Sequence, residues 1–279
     1  MAMTSRTREQ RRHPFMKNQE QAFLEAILEC PDDDTPRLIF ADWLEERGDA
    51  NGVARAEFIR VQCALAGGQL PTPRRIEFER RAQQILDDWG KLWVRPIRRL
   101  MQTWTFHRGF IDEVVVWDDR FLAVADRLFC RAPIQHLKLR PHYLSISRPI
   151  AAMTDSEHLR RLRSLDLSKN YLESRHVRAL VVSEHLTRLT DLDLSRNRIG
   201  DGGIRALAGS PLLSRLERLN LSGNDVGAGG LRVLTKALEE LAYGSEGLRL
   251  QRLELSPVLS NAAQRVIADS SLLRRIVRW

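Results

Sequence analysis

Three segments of this chain repeat the pattern L-x-x-L-x-L-x-x-N at a fixed stride. They are Leu162–Leu165–Leu167–Asn170, Leu189–Leu192–Leu194–Asn197 and Leu216–Leu219–Leu221–Asn224, each 27 residues after the one before. A fourth copy, Leu250–Leu253–Leu255, follows 34 residues on, with Val258 in the asparagine position. Upstream, Ile134–Leu137–Leu139 leads by 28 residues with His142 there, and Ile111–Val114–Val116 leads by a further 23. Six units can be read, three of them strict.

The period continues past each motif. Val177, Ile204 and Leu231 share the stride, as do Leu180, Leu207 and Leu234, and the two sets lie three residues apart. That spacing places them on one face of a helix. Asp201-Gly202-Gly203 and Gly227-Ala228-Gly229-Gly230 supply turns just before those helices. Each unit therefore predicts a short strand, a turn and a helix. Within L-x-L the leucines Leu165/Leu167, Leu192/Leu194 and Leu219/Leu221 point to one side and the middle residue to the other. One unit cannot bury its own leucines, whereas stacked units share a continuous core. The expected fold class is α/β, a solenoid with short parallel strands on its concave side and helices on its convex side. Asn170, Asn197 and Asn224 are expected in the bend after each strand. There the amide can bond turn backbone groups that have no ladder partner.

Residues 110–279 on these motifs resemble the ribonuclease-inhibitor-like class of leucine-rich repeats. The resemblance covers roughly 160 residues and implies a horseshoe or arc with a protein-binding habit. The units fray at both ends as capping units do. The closing LLRRIVRW reads as an amphipathic cap, and Leu241–Leu248 reads as an insertion that lengthens the fifth unit.

The N-terminal part is organised differently. Residues 1–17 are basic without a hydrophobic pattern and are expected to be a disordered arm. Residues 18–66 predict three helices: about Asn18 to Glu29, one opened by Thr35 and Pro36 and closed by Gly48, and about Gly52 to Leu65. Asp33, Pro36, Arg37, the run Ala41-Asp42-Trp43-Leu44-Glu45-Glu46, Gly48-Asp49 and Arg55-Ala56-Glu57-Phe58-Ile59-Arg60-Val61-Gln62 are similar to the bacterial repeat-companion domain. That family is a small all-α module usually found ahead of leucine-rich repeats, and the similarity implies architecture, not activity. Within it Trp43 is expected to lie in the core, and Asp42 or Glu46 either to pair with Arg55 or to belong to an acidic docking surface. Residues 67–109 form a linker, a fourth helix over 74–89 and an N-terminal cap. Trp89-Gly90, Trp93, Pro96 and Arg108-Gly109-Phe110 resemble the segment that joins the module to the repeats.

Composition excludes more than it identifies. The net charge is +8, yet residues 18–66 carry eleven acids against four bases. No stretch approaches the roughly 20 apolar residues that span a bilayer. The basic start has no apolar stretch like that of a secretory signal, so a cytoplasmic location is expected. Cys30, Cys63 and Cys130 are odd in number, lack C-x-x-C spacing and read as small buried hydrophobes. The seven histidines form no H-E-x-x-H, and neither G-x-S-x-G nor a phosphate-binding G-x-x-x-x-G-K-[ST] occurs. The expectation is a protein without catalytic residues, metal or cofactor.

What remains is a binding surface on the outward strand positions. The candidates are Trp117, Lys138, Arg140, Asp166, Asp191, Asp193, Arg218, Arg252 and Glu254, with Trp117 and Arg140 as anchors because Trp and Arg dominate binding hot spots. Glu113 and Val115 are expected on the same face. The three aspartates give this face an acidic middle. The function expected is a monomeric protein-interaction scaffold with an unidentified protein partner and no membrane association. The alternative is a nucleic-acid binder using the basic arm and the Arg/Trp-rich segment 74–108, with Trp89, Trp93 and Trp104 for base contacts.

Overall fold

The computed structural model describes residues 19–142, 150–244 and 247–278. They fall into two compact units. The first holds the chain up to Leu100 with Trp104–Glu113 and Arg127–Pro133. The second holds Met101–Thr103, Val114–Asp126 and the chain from Ile134 onward.

The first unit is mostly helical: α1 (residues 19–29), α2 (Thr35–Glu46), α3 (Ala50–Ala66) and α4 (Thr72–Val94). The sequence motifs explain its turns. Asp33 Oδ1 accepts from Thr35 N at 2.8 Å ahead of α2, so Asp33, not Thr35, is the side-chain acceptor at this turn. Asp49 Oδ1 accepts from Gly52 N at 2.8 Å and caps α3. Arg37 is buried and donates from Nη1 to the carbonyl of Asp33 at 3.0 Å. Ile27, Phe40, Ala41, Leu44, Ala56, Ile59 and Phe110 form one core cluster, with Trp43 half-buried against it. Phe58, Val61, Ala82 and Ile85 form another between α3 and α4. Helix α4 runs past the expected end at residue 89 and through Gly90 to Val94, because Trp89 and Trp93 both pack against that second cluster.

A short 3₁₀ turn at Arg98–Leu100 leads to β1 (Thr103–His107) and β2 (Phe110–Trp117). Arg108 and Gly109 join these strands with φ of +50° and +84°. Two successive left-handed residues make the tight turn whose twist suits a two-residue hairpin. Asp34 pairs with Arg108 at 3.2 Å.

The second unit carries the repeats: α5 (Phe121–Phe129), β3 (His136–Arg140), α6 (Ile150–Thr154), a 3₁₀ turn at Glu157–Arg161, β4 (Ser164–Asp166) and α7 (Ser174–Val181). Then come β5 (Asp191–Asp193), α8 (Gly200–Ala208), α9 (Pro211–Arg215), β6 (Arg218–Asn220) and α10 (Ala228–Tyr243). The unit closes with β7 (Arg252–Glu254), α11 (Asn261–Asp269), α12 (Ser271–Ile276) and β8 (Val277–Arg278).

From β3 to β8 every strand pairs in parallel with the next in the chain. Leu137, Leu165, Leu192, Leu219, Leu253 and Val277 stand opposite one another in a single column. Leu167, Leu194 and Leu221, the second leucines of the strict motifs, are equally buried. The helices α7, α8, α10, α11 and α12 contact their neighbours in the same order. Strand pairing and helix packing thus progress together, one unit at a time.

The motif asparagines tie each unit to the next. Asn197 Nδ2 donates to the carbonyls of Leu194 at 2.7 Å and, one unit back, Leu167 at 3.0 Å. Its Oδ1 accepts from the backbone of Asn170 and Leu172, each at 2.9 Å. Asn170 reaches Leu139 O at 3.0 Å and Asn224 reaches Leu194 O at 2.9 Å in the same way. The asparagine therefore serves the previous turn as well as its own. Buried backbone groups that the short strands leave unpaired are satisfied across the repeat boundary. The C-terminal end is finished by a strand as well as a helix. Ser260 and Ser270 cap α11 and α12, and β8 then pairs with β7.

Candidate functional site

The outward positions of β3 to β7 form two cross-strand rows on the face of the sheet opposite the leucine column. One runs His136, Ser164, Asp191, Arg218, Arg252, and the other Lys138, Asp166, Asp193, Asn220, Glu254. The parallel register brings these sequence-distant candidates side by side.

The expected acidic middle is largely neutralised, and the register is the reason. Lys138 Nζ pairs with Asp166 Oδ2, one strand across. Arg218 Nε pairs with Asp191 Oδ1, again one strand across, and Thr190 Oγ1 donates to Asp191 Oδ2 at 2.7 Å. Asp193 Oδ2 accepts from the Asn220 amide at 3.3 Å. The remaining oxygens close turns: Asp166 Oδ1 accepts from Ser168 N at 2.8 Å, Asp193 Oδ1 from Ser195 N at 2.7 Å, and Asn220 Oδ1 from Ser222 N at 3.0 Å. These are Asx turns, which pull the strand out of its extended line. Asp166 and Asp193 thus shape the backbone, and only 22% of the Asp166 side chain is exposed.

Arginines stand out from the face, two of them while holding ion pairs. Arg140 is exposed, and the side chains of Arg218 and Arg252 are 62% and 55% accessible. Arg252 also reaches Glu254 within its own strand at 2.8 Å. Trp117 is half-buried and meets the His142 ring edge-on at 5.7 Å, so its ring already has a neighbour. Glu113 is exposed, but Val115 is buried. Gln102 N donates to the Val115 carbonyl at 2.7 Å, and Val115 is covered, so it does not contribute the open surface expected of it. Asn220 and the serines at 168, 195 and 222, outward by the strand spacing but not among the binding candidates, also belong to the site. Their signal is the recurrence of Asp/Asn-x-Ser at the same 27-residue stride.

Three expectations about the first unit also change. Asp42 pairs with Arg60 at 2.7 Å, and Glu45 joins it at 2.6 Å, so neither Asp42 nor Glu46 supplies a partner to Arg55. Trp93 packs on Phe58 and Phe106 at ring distances of 5.2 and 6.4 Å and donates from Nε1 to Asn51 at 2.7 Å, so its ring is not offered to a base. Cys63 is buried, and burial pushes its thiol pKa up to about 12. Cys30 and Cys130 are exposed, standing just after the ends of α1 and α5. The basic arm, residues 1–17, lies outside the described residues.

Among the described residues no group of three or more His, Cys, Asp or Glu is placed to hold a metal ion. No helix of those residues is long and apolar enough to cross a membrane. The fold and this face define a mixed α/β chain with a sheet of short strands built on leucine-rich repeats. A family model described as Leucine Rich repeat matches residues 185–208 and 214–234, the second and third strict units. No curated protein matches the chain. Leucine-rich repeats are commonly protein-interaction modules.

Proposed function

We propose that this protein is a cytoplasmic, monomeric, non-catalytic interaction scaffold: a leucine-rich-repeat solenoid that holds a protein partner on the open face of its sheet. On this reading the helical unit is a bacterial repeat-companion module placed ahead of the repeats, and no cofactor or metal is involved. The observation that carries the reading is the pair of outward rows on β3 to β7. Their aspartates are bound into turns and ion pairs, while Arg140 is exposed and Arg218 and Arg252 stay more than half accessible as they pair with Asp191 and Glu254. An arginine-rich surface on a rigid ladder fits a partner that brings carboxylates and aromatic rings, because the guanidinium fork accepts both.

The test is quantitative affinity capture from the source cells with the intact chain and with the double variant Arg218→Ser/Arg252→Ser. Both arginines are exposed, so the double variant is expected to keep its stability within about 1 kcal/mol of the parent. Proteins enriched on the parent should be lost from the variant but retained by a variant altered on the exposed helix position Lys236. Equal enrichment on all three would overturn the assignment of this face. Recovery chiefly of nucleic acid, released steeply by salt, would move the function to the basic alternative.

A further inference from the structure

The helical unit contains a cleft of about 330 Å³ that is independent of the sheet face. Its walls combine apolar side chains, Leu24, Phe40, Leu44, Trp93 and Phe106 among them, with charged ones, and Arg55 enters from α3. The guanidinium carbon lies 4.4 Å from the centre of the Trp93 ring, 5.1 Å from Phe110, 5.5 Å from Phe106 and 5.8 Å from Phe58. Ring faces stabilise a cation, but they accept none of its in-plane hydrogen bonds. The residue keeps part of its surface exposed, yet Nη1 itself is shut off from solvent and has no hydrogen-bond partner among the described residues. Its neighbours in the sequence motif have structural tasks: Asp49 caps a helix and Arg60 bridges two acids. Arg55 has none of that kind.

A buried donor left unmade is costly, more so on a charged group. Burial lowers the Arg55 pKa to about 9, so the side chain still carries its charge at neutral pH. The acid that acts on it is Glu20, through space and without a hydrogen bond. Arg47, Arg55 and Arg131 line the cleft against this one carboxylate.

We propose that this cleft binds a carboxylate carried on a flat or branched apolar body, with Arg55 gripping the carboxylate edge-on and the surrounding rings holding the body. The part of Arg55 that stays exposed can offer guanidinium N–H groups in plane, the geometry that a carboxylate matches with two oxygens. Inorganic phosphate fits less well, because it carries no apolar body for the surrounding rings to hold. A free organic acid and the terminal residue of a peptide both carry this chemistry.

Calorimetric titration of the full chain separates the cases. The probes are 3-phenylpropanoate, its amide, the tripeptide acetyl-Gly-Gly-Phe with a free terminus, the same peptide amidated, and inorganic phosphate. At least one acid is expected to bind about ten-fold or more tightly than its matching amide, the worth of a charged hydrogen bond. Preference for the small acid or for the peptide acid identifies the source. Arg55→Met should lose this preference while melting no lower than the parent, because it removes a buried charge that lacks a hydrogen-bonded partner. If that variant does not fold, Arg55→Lys keeps the charge, loses the fork and should lose most of the preference. Acid and amide binding equally, phosphate binding as tightly as either acid, or no binding of any acid at millimolar concentration would each overturn the proposal.

Discussion

Leu192→Ala is expected to destabilise the protein by about 2–5 kcal/mol, the range found for buried leucine truncations. Leu192 is 2% exposed and stands between Leu165 on one neighbouring strand and Leu219 on the other. Truncation opens a void in the column that these three leucines share. The neighbours are pinned by the asparagine bonds of Asn170, Asn197 and Asn224 and cannot close in freely. The void is therefore retained, which places the cost high in the range. Lys169→Ala provides the contrast: the residue is exposed, and its loss should cost under about 0.5 kcal/mol. Denaturant unfolding of both variants decides the matter. Small and equal effects would contradict the leucine column.

Gly109→Ala is expected to cost roughly 2–5 kcal/mol, from two sources. At φ of +84° the backbone is left-handed, which costs a residue with Cβ about 1–2 kcal/mol. The added Cβ would also lie 2.5 Å from Ile59 Cγ1 and 2.8 Å from Ile59 Cα. Ile59 belongs to the core of the helical unit, and its backbone is part of α3, so relief requires a shift worth about 1–3 kcal/mol. The turn is further fixed by Gly109 N donating to Gln62 Oε1 at 3.0 Å. Gly48→Ala isolates the first contribution. That glycine has φ of +70°, but nothing lies within 4 Å of where a Cβ would stand, so only the backbone cost applies. Thermal unfolding followed by tryptophan fluorescence should rank Gly109→Ala well below Gly48→Ala. Matching losses would mean that the β1–β2 turn does not approach α3 as closely as described.

The repeat is legible in the sequence because its physics is periodic. Leucines that must share one column have to recur at the stride of the unit, and the asparagines recur with them. The first three helices of the N-terminal unit are legible from capping residues and apolar spacing, within a few residues at each end. The electrostatics of the sheet face are not. Asp166, Asp191 and Asp193 read as free acids along the chain. Only the lateral register shows that Lys138 and Arg218 sit one strand away, and only turn geometry shows the backbone of Ser168 and Ser195 donating to Asp166 and Asp193. Arg55 escapes the sequence for a related reason. An arginine among acids in sequence suggests an ion pair, yet the acids lie on other faces and its neighbours in space are Trp93, Phe106 and Phe110, from segments 38 to 55 residues away. Strands β1 and β8 carry too little pattern, over five and two residues, to separate strand from loop.

The location of the binding surface is tested most directly by photo-crosslinking in the source cells. A photoreactive residue is placed at Arg218, at Arg252 or at Lys236, whose side chain on α10 is 80% exposed. Covalent adducts with another protein from the two sheet positions, and none from Lys236, are the expected result. Adducts from Lys236 with none from Arg218 or Arg252 would contradict it.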